Sequence, residues 1–461
     1  MAARFVSIDR DTPLLLPPNL RDWVPADHLV HFIVDAVGVL ELRQLKVNER
    51  GTGSEQYPPA MLLGLLIYSY ATGVFSSRRI EQSTYDSVPV RVLTADTHPD
   101  HDTLCAFRRE NQALLAESFV KVLQLAQQLK VLQVGRITVA VDGTKILANA
   151  SKHSAVSYER AGQLIEQLEL EVRQLVAKAE QADSAPLQDG LTIPEEITRC
   201  QERQAALARA RAEMEARAQV RHAAALAEHG QKLAERAARQ ERGERVGGKP
   251  PKAPMAGPDG QDQYNFTDAE SRIMKAGNGH HFEQSYNAQA AVEVTSRLIV
   301  GQRVSQAPND KQELTADLRA IPEAVGAVAA VLIDSGFYSE TAVRAVEGAG
   351  STTVYAPQER KSHHRTVADL EQKPAPPEPP PGASVSEVMK HRLATAAGKE
   401  KYKLRQQTVE PVFGIIKSVL GFRRFLLRGV EKVKLEWTLV CAAYNLKRLH
   451  RLGGFKLAVA G

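Results

Sequence analysis

Three acidic residues, Asp142, Asp334 and Glu410, stand where a chain can place chemistry. Asp142 closes a β-branched run, Ile137-Thr138-Val139-Ala140-Val141, and is followed by Gly143. Asp334 closes a second run, Ala329 to Ile333, and is followed by Ser335-Gly336. Both runs read as buried strands ending in turns. Glu410 lies beyond the last predicted strand, where a helix begins. Acids at strand ends along one edge of an α/β sheet occupy the place where such folds build sites. Three convergent carboxylates suit a hard cation such as Mg²⁺, which takes oxygen ligands and keeps waters. Two such ions about 4 Å apart activate an attacking oxygen and stabilise a leaving one in phosphoryl transfer. Asp-Gly and Asp-Ser-Gly are also common turn sequences, and a single helix glutamate is commonly just solvated. Position alone leaves both readings open for each acid.

The surroundings of Glu410 favour chemistry. Lys417 lies seven residues further on, almost two helical turns, which predicts a shared face about 10 Å apart. Gly414, between them, offers no side chain to obstruct a substrate backbone. Pro411 is tolerated only in a first helical turn or at a kink, so Thr408 is expected to cap a helix holding Glu410 in its first turn. An acid, a bare surface and a lysine in line fit a metal ligand beside a phosphate path.

The elements that must position these residues follow from periodicity. Residues 1–135 read as helical. Pro58-Pro59 opens a run from Ala60 to Tyr70 that Gly73 stops, Ser76-Ser77 caps a helix bearing Arg78 and Arg79, and Pro99-Asp100 starts one bearing Phe107, Arg108 and Arg109. A longer helix is predicted from Gln112 to Lys130. Beyond the first strand, strands are predicted at 285–294, 297–304, 329–333 and 352–355, with helices at 310–320 and 340–347. That order predicts an α/β layer architecture. An Ala/Glu/Gln/Arg-rich insertion, 152–264, separates the first strand from the second. Leu164, Leu168, Val172 and Leu175 mark one helical face, and Cys200, Leu207 and Met214 recur every seven residues. Gln204 and Arg211 weaken that seam, so an antiparallel helical hairpin is expected rather than a strong coiled coil. Thr192-Ile193-Pro194-Glu195 has the form of a capping box. The Gly/Pro/Lys-rich stretch 243–262 reads as a mobile loop, and 373–382, with six prolines in ten residues, as an extended linker.

Composition bounds the rest. The chain has 461 residues, 43% hydrophobic and 25% charged, values of an ordinary globular protein. No apolar run approaches the ~20 residues that span a bilayer. The first ten residues carry no long apolar segment, so no secretory leader is expected. Cys105, Cys200 and Cys441 form neither a disulfide framework nor a zinc pattern, which suits a reducing cytoplasm. Net charge is +5, but Tyr402 to Arg451 alone carries eleven Lys or Arg against three acids. A basic block on a near-neutral body points to a polyanion, most often nucleic acid, with a solvated basic helix as the bland alternative. The pairs His280-His281 and His363-His364 lack metal-ligand spacing and read as loop residues. There is no GxGxxG, Walker A or Gly-x-Ser-x-Gly pattern, so nucleotide hydrolysis and serine-hydrolase chemistry are unsupported.

Tyr402, Arg405, Glu410 and Lys417, spaced Y-x2-R-x4-E-x6-K, resemble the signature of bacterial insertion-sequence transposases of the DDE class. Tyr57-Pro58, Ser77-Arg78-Arg79, Pro99-Asp100-His101 and Phe107-Arg108 look like the N-terminal domain of that group. Asp142-Gly143-Thr144-Lys145, Tyr286-Asn287-Ala288-Gln289, Asn309-Asp310, Asp334-Ser335-Gly336-Phe337-Tyr338 and Ala443-Tyr444-Asn445-Leu446 look like its catalytic strands, turn and closing helix. The gap from Arg405 to Glu410 is one residue longer than the common form.

The resemblance implies an α/β, RNase H-like catalytic domain with a mixed sheet (136–461), a helical N-terminal DNA-binding domain (1–135) and the helical insertion (152–264). It implies cleavage at transposon ends and strand transfer into target DNA. Asp142, Asp334 and Glu410 would hold Mg²⁺ or Mn²⁺, as two ions. Tyr402, Arg405, Lys417, Arg423, Arg424 and Arg428 would contact DNA at the active site, and Arg78, Arg79, Arg108 and Arg109 would read the ends. Partners would be double-stranded DNA (terminal inverted repeats and target) and a second copy of the chain, with no membrane, in a nucleoid-associated cytoplasmic setting. An RNase H-like nuclease that cuts without joining, and a non-catalytic DNA-binding protein derived from a transposase, are the alternatives. The insertion is expected to add DNA or subunit contacts and no metal ligand.

Overall fold

The computed structural model describes residues 19–40, 56–133, 135–182, 193–243, 246–275, 281–350, 352–358 and 377–453. The first ten residues, Thr192, His280, the pair His363-His364 and residues 373–376 of the proline-rich linker lie outside the described residues. The chain divides into two compact units, 1–147 with 286–461, and 148–285.

The first unit opens with six helices: α1 (Leu29–Val39), α2 (Pro59–Ala71), α3 (Ser77–Asp86), α4 (Val88–Leu93), α5 (His101–Glu110) and α6 (Gln112–Gln128). The caps follow the residue types. Asp100 accepts the Thr103 N–H at 2.6 Å to start α5, and Gly73, at φ +85°, follows the end of α2. α2 is buried continuously from Leu62 to Ala71. A helix apolar all round belongs in the middle of a core.

After α6 come the strands. β1 (Gly135–Leu147) precedes the second unit's β2 (Ala155–Ser157), α7 (Tyr158–Ala182), α8 (Ile193–Glu241), β3 (Gln263–Asn265) and β4 (Arg272–Lys275). Then follow β5 (Phe282–Glu293), β6 (Ile299–Ser305), α9 (Leu314–Arg319), β7 (Gly326–Leu332), α10 (Glu340–Gly348) and β8 (Thr353–Tyr355). Helices α11 (Val385–Ala394), α12 (Ala396–Gly414) and α13 (Val430–Gly453) end the chain. In the first unit the strands lie in the order β6, β5, β1, β7, β8. β1 pairs β7 in parallel, β7 pairs β8 in parallel, and β5 pairs β6 antiparallel, so the sheet is mixed. Closure comes from α13. Its Trp437 indole N–H donates to Gln289 O at 3.0 Å, and the Asn445 amide bridges the N–H and C=O of Ile299. The Lys447 ammonium donates to Ala71 O at the end of α2, so one helix is packed into both the sheet and the N-terminal helices.

Two expectations about this unit need correction. Asp142-Gly143 is not a turn, because β1 continues to Leu147. Its last residue is held by residues 423–425: Leu147 N–H donates to Arg423 O at 3.1 Å, and Phe425 N–H to Leu147 O at 2.8 Å. Gly143 answers a close approach instead. A Cβ there would lie 2.5 Å from Gln289 Nε2 and 2.7 Å from Asp310 Oδ1. Secondly, Thr408 does not cap a new helix. α12 starts after Thr395, whose hydroxyl accepts the Gly398 N–H, and Thr408, Glu410 and Pro411 all lie inside it. The proline ring removes one helical hydrogen bond, and past Gly414 the chain widens into a π-helical turn, Ile415–Val419. That turn interrupts the α-helical spacing assumed between Glu410 and Lys417.

In the second unit α7 and α8 pack antiparallel. Gln204 reaches Glu169, and Glu215 accepts the Tyr158 hydroxyl at 2.6 Å. Val156, Ala161, Leu168, Leu207, Ala210 and Met214 form the core, with Cys200 and Leu164 against it. The segment read as a mobile loop is laid back along α8. His222, His229 and Arg236, each seven residues apart, hold the carbonyls of Pro254, Pro251 and Gly248. Seven residues are two turns, so one helix face meets successive carbonyls of an extended strap. Among the described residues no helix is long and apolar enough to cross a membrane.

Candidate active site

β1 and β7 are parallel neighbours, and this pairing carries Asp142, inside β1, towards Asp334, just past β7. Each aspartate has one oxygen tied to backbone. Asp142 Oδ1 accepts the Gly143 N–H at 2.8 Å, and Asp334 Oδ1 accepts those of Gly336 (2.8 Å) and Phe337 (3.2 Å). The other oxygen of each is turned to one guanidinium. Arg405 Nη2 lies 2.8 Å from Asp142 Oδ2 and 3.8 Å from Asp334 Oδ2, and Nη1 donates to Glu410 Oε1 at 3.2 Å. The Arg405 side chain is only 8% exposed, whereas that of Glu410 is 54% exposed. Three acids from distant parts of the sequence thus converge on one buried cation.

Burial pushes the Asp142 carboxyl up to about 7, with Arg405 working against the shift and the charges of Asp334 and Asp310 adding to it. The half-buried Tyr402 phenol is pushed up to about 12, again by burial. The Lys417 ammonium donates to Lys145 O at 2.8 Å, and burial, with Arg423 and Lys145 nearby, lowers it from its ordinary range. Lys145 is lowered by burial too, and its closest carboxylate oxygen, Asp310 Oδ1, is 3.7 Å away. Asn287 and Gln289 donate to that same oxygen at 2.6 and 2.7 Å. A Cβ at Gly414 would meet nothing within 4 Å, so that surface is open. Arg423, Arg424 and Arg428 are exposed beyond it.

The arginines expected to read DNA divide. Arg78, Arg79 and Arg109 are exposed. Arg108 is not on the surface and is corrected to an interior residue. Its guanidinium donates to the Tyr70 hydroxyl at 3.3 Å and to Ser77 Oγ at 3.2 Å. Arg405, expected on a phosphate, is likewise engaged by the three acids.

Among the described residues no cluster of three or more His, Cys, Asp or Glu side chains is spaced to hold a metal. The donor set still suits a hard cation by its chemistry, because Oδ2 of both aspartates and Oε1 of Glu410 all face the Arg405 guanidinium. His281 is remote in role, lying 3.8 Å from Glu283 in the second unit.

A family model described as a Transposase DDE domain matches residues 380–450, and one described as a Transposase domain (DUF772) matches 18–110. Together they support an insertion-sequence transposase of the DDE class. Searches of the curated proteins and of the solved structures returned no match. Transposases of these families act on DNA, and the DDE enzymes typically use divalent metals. The DDE match spans α12 and most of α13, with Tyr402, Arg405, Glu410 and Lys417; Asp142 and Asp334 lie outside it. The N-terminal match takes in all four arginines of α3 and α5. The sequence reading gave no role to Lys145, Asn287, Gln289 and Asp310. The signal for two of them was Asn287 and Gln289 on alternate positions of β5, where both are fully buried.

Proposed function

We propose that the chain is a DNA transposase that hydrolyses a phosphodiester at transposon ends and joins the freed 3′ end to target DNA. The observation that carries this reading is the convergence of Asp142, Asp334 and Glu410 on the one guanidinium of Arg405. The mixed sheet, with acids on adjacent parallel strands, supports an RNase H-like catalytic domain. Asp142, Asp334 and Glu410 would hold Mg²⁺ or Mn²⁺, which supply charge for the developing oxyanion and a more acidic attacking oxygen. Tyr402 borders the acids and would stack on or hydrogen-bond to a displaced nucleotide. Lys417, fixed by the Lys145 carbonyl, and the exposed Arg423, Arg424 and Arg428 would hold phosphates beside the open surface at Gly414. Arg78, Arg79 and Arg109 would contact the transposon ends, and two copies of the chain would act on them together.

The test is a cleavage and joining assay with the full chain, Mg²⁺ or Mn²⁺, and DNA carrying the repeats that flank the gene. Wild type should release a 3′ end and yield joined product. Asp142→Asn, Asp334→Asn and Glu410→Gln should each yield neither while keeping DNA binding. Cleavage without joining would replace the proposal by a nuclease. Binding with neither product would leave a non-catalytic DNA-binding protein. Full activity in one variant would remove that residue from the site.

A further inference from the structure

We propose that Arg405 is a positioning residue: an internal cation that gathers Asp142, Asp334 and Glu410 before any divalent ion binds, and that withdraws from Asp142 when one does. The inference rests on the metal-dependent reading above. Three carboxylates brought together from β1, the turn after β7 and α12 repel one another unless a cation lies between them. The structure supplies one from within the chain. Arg405 Nη2 faces both aspartates and Nη1 faces the glutamate, so the guanidinium fork spans all three acids. Its Nε is buried without a hydrogen-bond partner, so the acids orient the fork, with no second anchor behind it.

The oxygens involved decide the exchange. Asp142 Oδ1 and Asp334 Oδ1 accept backbone N–H groups, which leaves Oδ2 of each without a backbone partner and turned to Arg405. Asp142 Oδ2 is the oxygen that Arg405 holds at 2.8 Å. A divalent ion on Asp142 Oδ2 would set a second cation against the guanidinium that hydrogen-bonds the same oxygen, and like charges so close repel. A bound ion therefore displaces Nη2 from Asp142. When all three acids are ionised, one guanidinium leaves two negative charges unbalanced, the charge of one divalent ion. Arg405 then needs only to turn aside.

The test uses the full chain without DNA. Mn²⁺ binding is followed by electron paramagnetic resonance, and thermal unfolding is followed without metal. Arg405→Gln should melt below wild type in metal-free buffer, because the acids lose their cation. It should bind Mn²⁺ about ten- to a hundredfold more tightly, since one charge-assisted hydrogen bond no longer has to be broken. Asp142→Asn combined with Arg405→Gln should regain much of the lost melting temperature, because one charge fewer is left unbalanced. Unchanged or weaker Mn²⁺ binding in folded Arg405→Gln overturns the exchange, and no regain in the double variant overturns the gathering role. Should Arg405→Gln not fold, Arg405→Lys keeps a charge without the fork and should bind Mn²⁺ more tightly than wild type. Equal or weaker binding there overturns the exchange. Absence of Mn²⁺ binding in wild type, or binding unaffected by Asp142→Asn, sinks the metal-dependent reading itself. The metal-free melting of the double variant still decides the role of Arg405 in that case.

Discussion

Replacing Glu436 by Gln should remove a loss of stability that wild type suffers as the pH rises from about 4.5 to 7. Glu436 is buried at the start of α13, where its carboxylate accepts the N–H groups of Leu426 and Leu427 at 3.0 Å and the Tyr70 hydroxyl at 3.4 Å. Burial pushes its carboxyl from the usual 4.5 up to about 7, although the two backbone N–H groups and Arg108 oppose the shift. The folded chain therefore keeps this proton over a range where the unfolded chain has released it. Below 4.5 both states are protonated and the contribution is complete; above 7 both are ionised and it is gone. A rise from 4.5 to about 7, at 1.36 kcal/mol per unit, amounts to about 3 kcal/mol. Gln keeps a carbonyl to accept the same N–H groups and has no proton to lose. Asp142 and Asp317 are also pushed up to about 7 by burial, so both proteins retain some slope, and the quantity to read is the difference between them. Urea unfolding at about pH 5 and pH 8 should show that difference change by about 3 kcal/mol, with wild type relatively weaker at pH 8. Parallel stability profiles across that window would refute the argument from burial.

Gly143→Ala should destabilise the chain by about 1–3 kcal/mol, the usual cost of overpacking, because its methyl would meet Gln289 and Asp310 below 3 Å; urea unfolding measures it. Lys417→Ala should reduce the slope of log affinity for DNA against log salt by about one, and Arg423, Arg424 and Arg428 changed together to Ala by about three, on specific and random DNA alike; an unchanged slope would make the block an ordinary charged surface. Replacing residues 152–264 by a short linker should weaken assembly of the end complex, followed by gel shift, while Mn²⁺ binding persists; the reverse pattern would put a ligand in the insertion.

Much of the sheet is readable as β-branched runs because strands buried on both faces need continuous apolar sequence, and Ile137–Val141, Leu298–Val300 and Ala329–Ile333 supply it. β1 was harder. Its second half opens with Asp142-Gly143-Thr144-Lys145, and its last residue, Leu147, is held by a pairing with residues 423–425 that no local pattern reveals. The two interior arginines were legible in principle. Arg405 lies on the line of Thr408, Val409, Val412 and Phe413, and Arg108 on that of Leu104 and Phe107, each a buried stripe of its own helix. An arginine on an apolar stripe needs acids or hydroxyls waiting for it, and reading only its charge sends it to the surface. The strap on α8 was misread for a similar reason. Its Gly and Pro content fits flexibility, but His222, His229 and Arg236 supply donors at the repeat needed to pin it. Pro411 points to a helix start that is not there, since an interior proline and a first-turn proline look alike in sequence.

The closing role of α13 sets a schedule for biosynthesis. This helix is made long after α2 in chain order, yet it packs beside both α2 and β6. At roughly 5–20 residues per second, α2 is made many seconds before the helix that covers it. Through that interval the apolar run from Leu62 to Ala71 needs some other cover, such as a chaperone. A polypeptide released early, lacking α13, would have its first 147 residues and its sheet made but not sealed. Such fragments should be cleared by proteases, so that only chains carrying α13 accumulate.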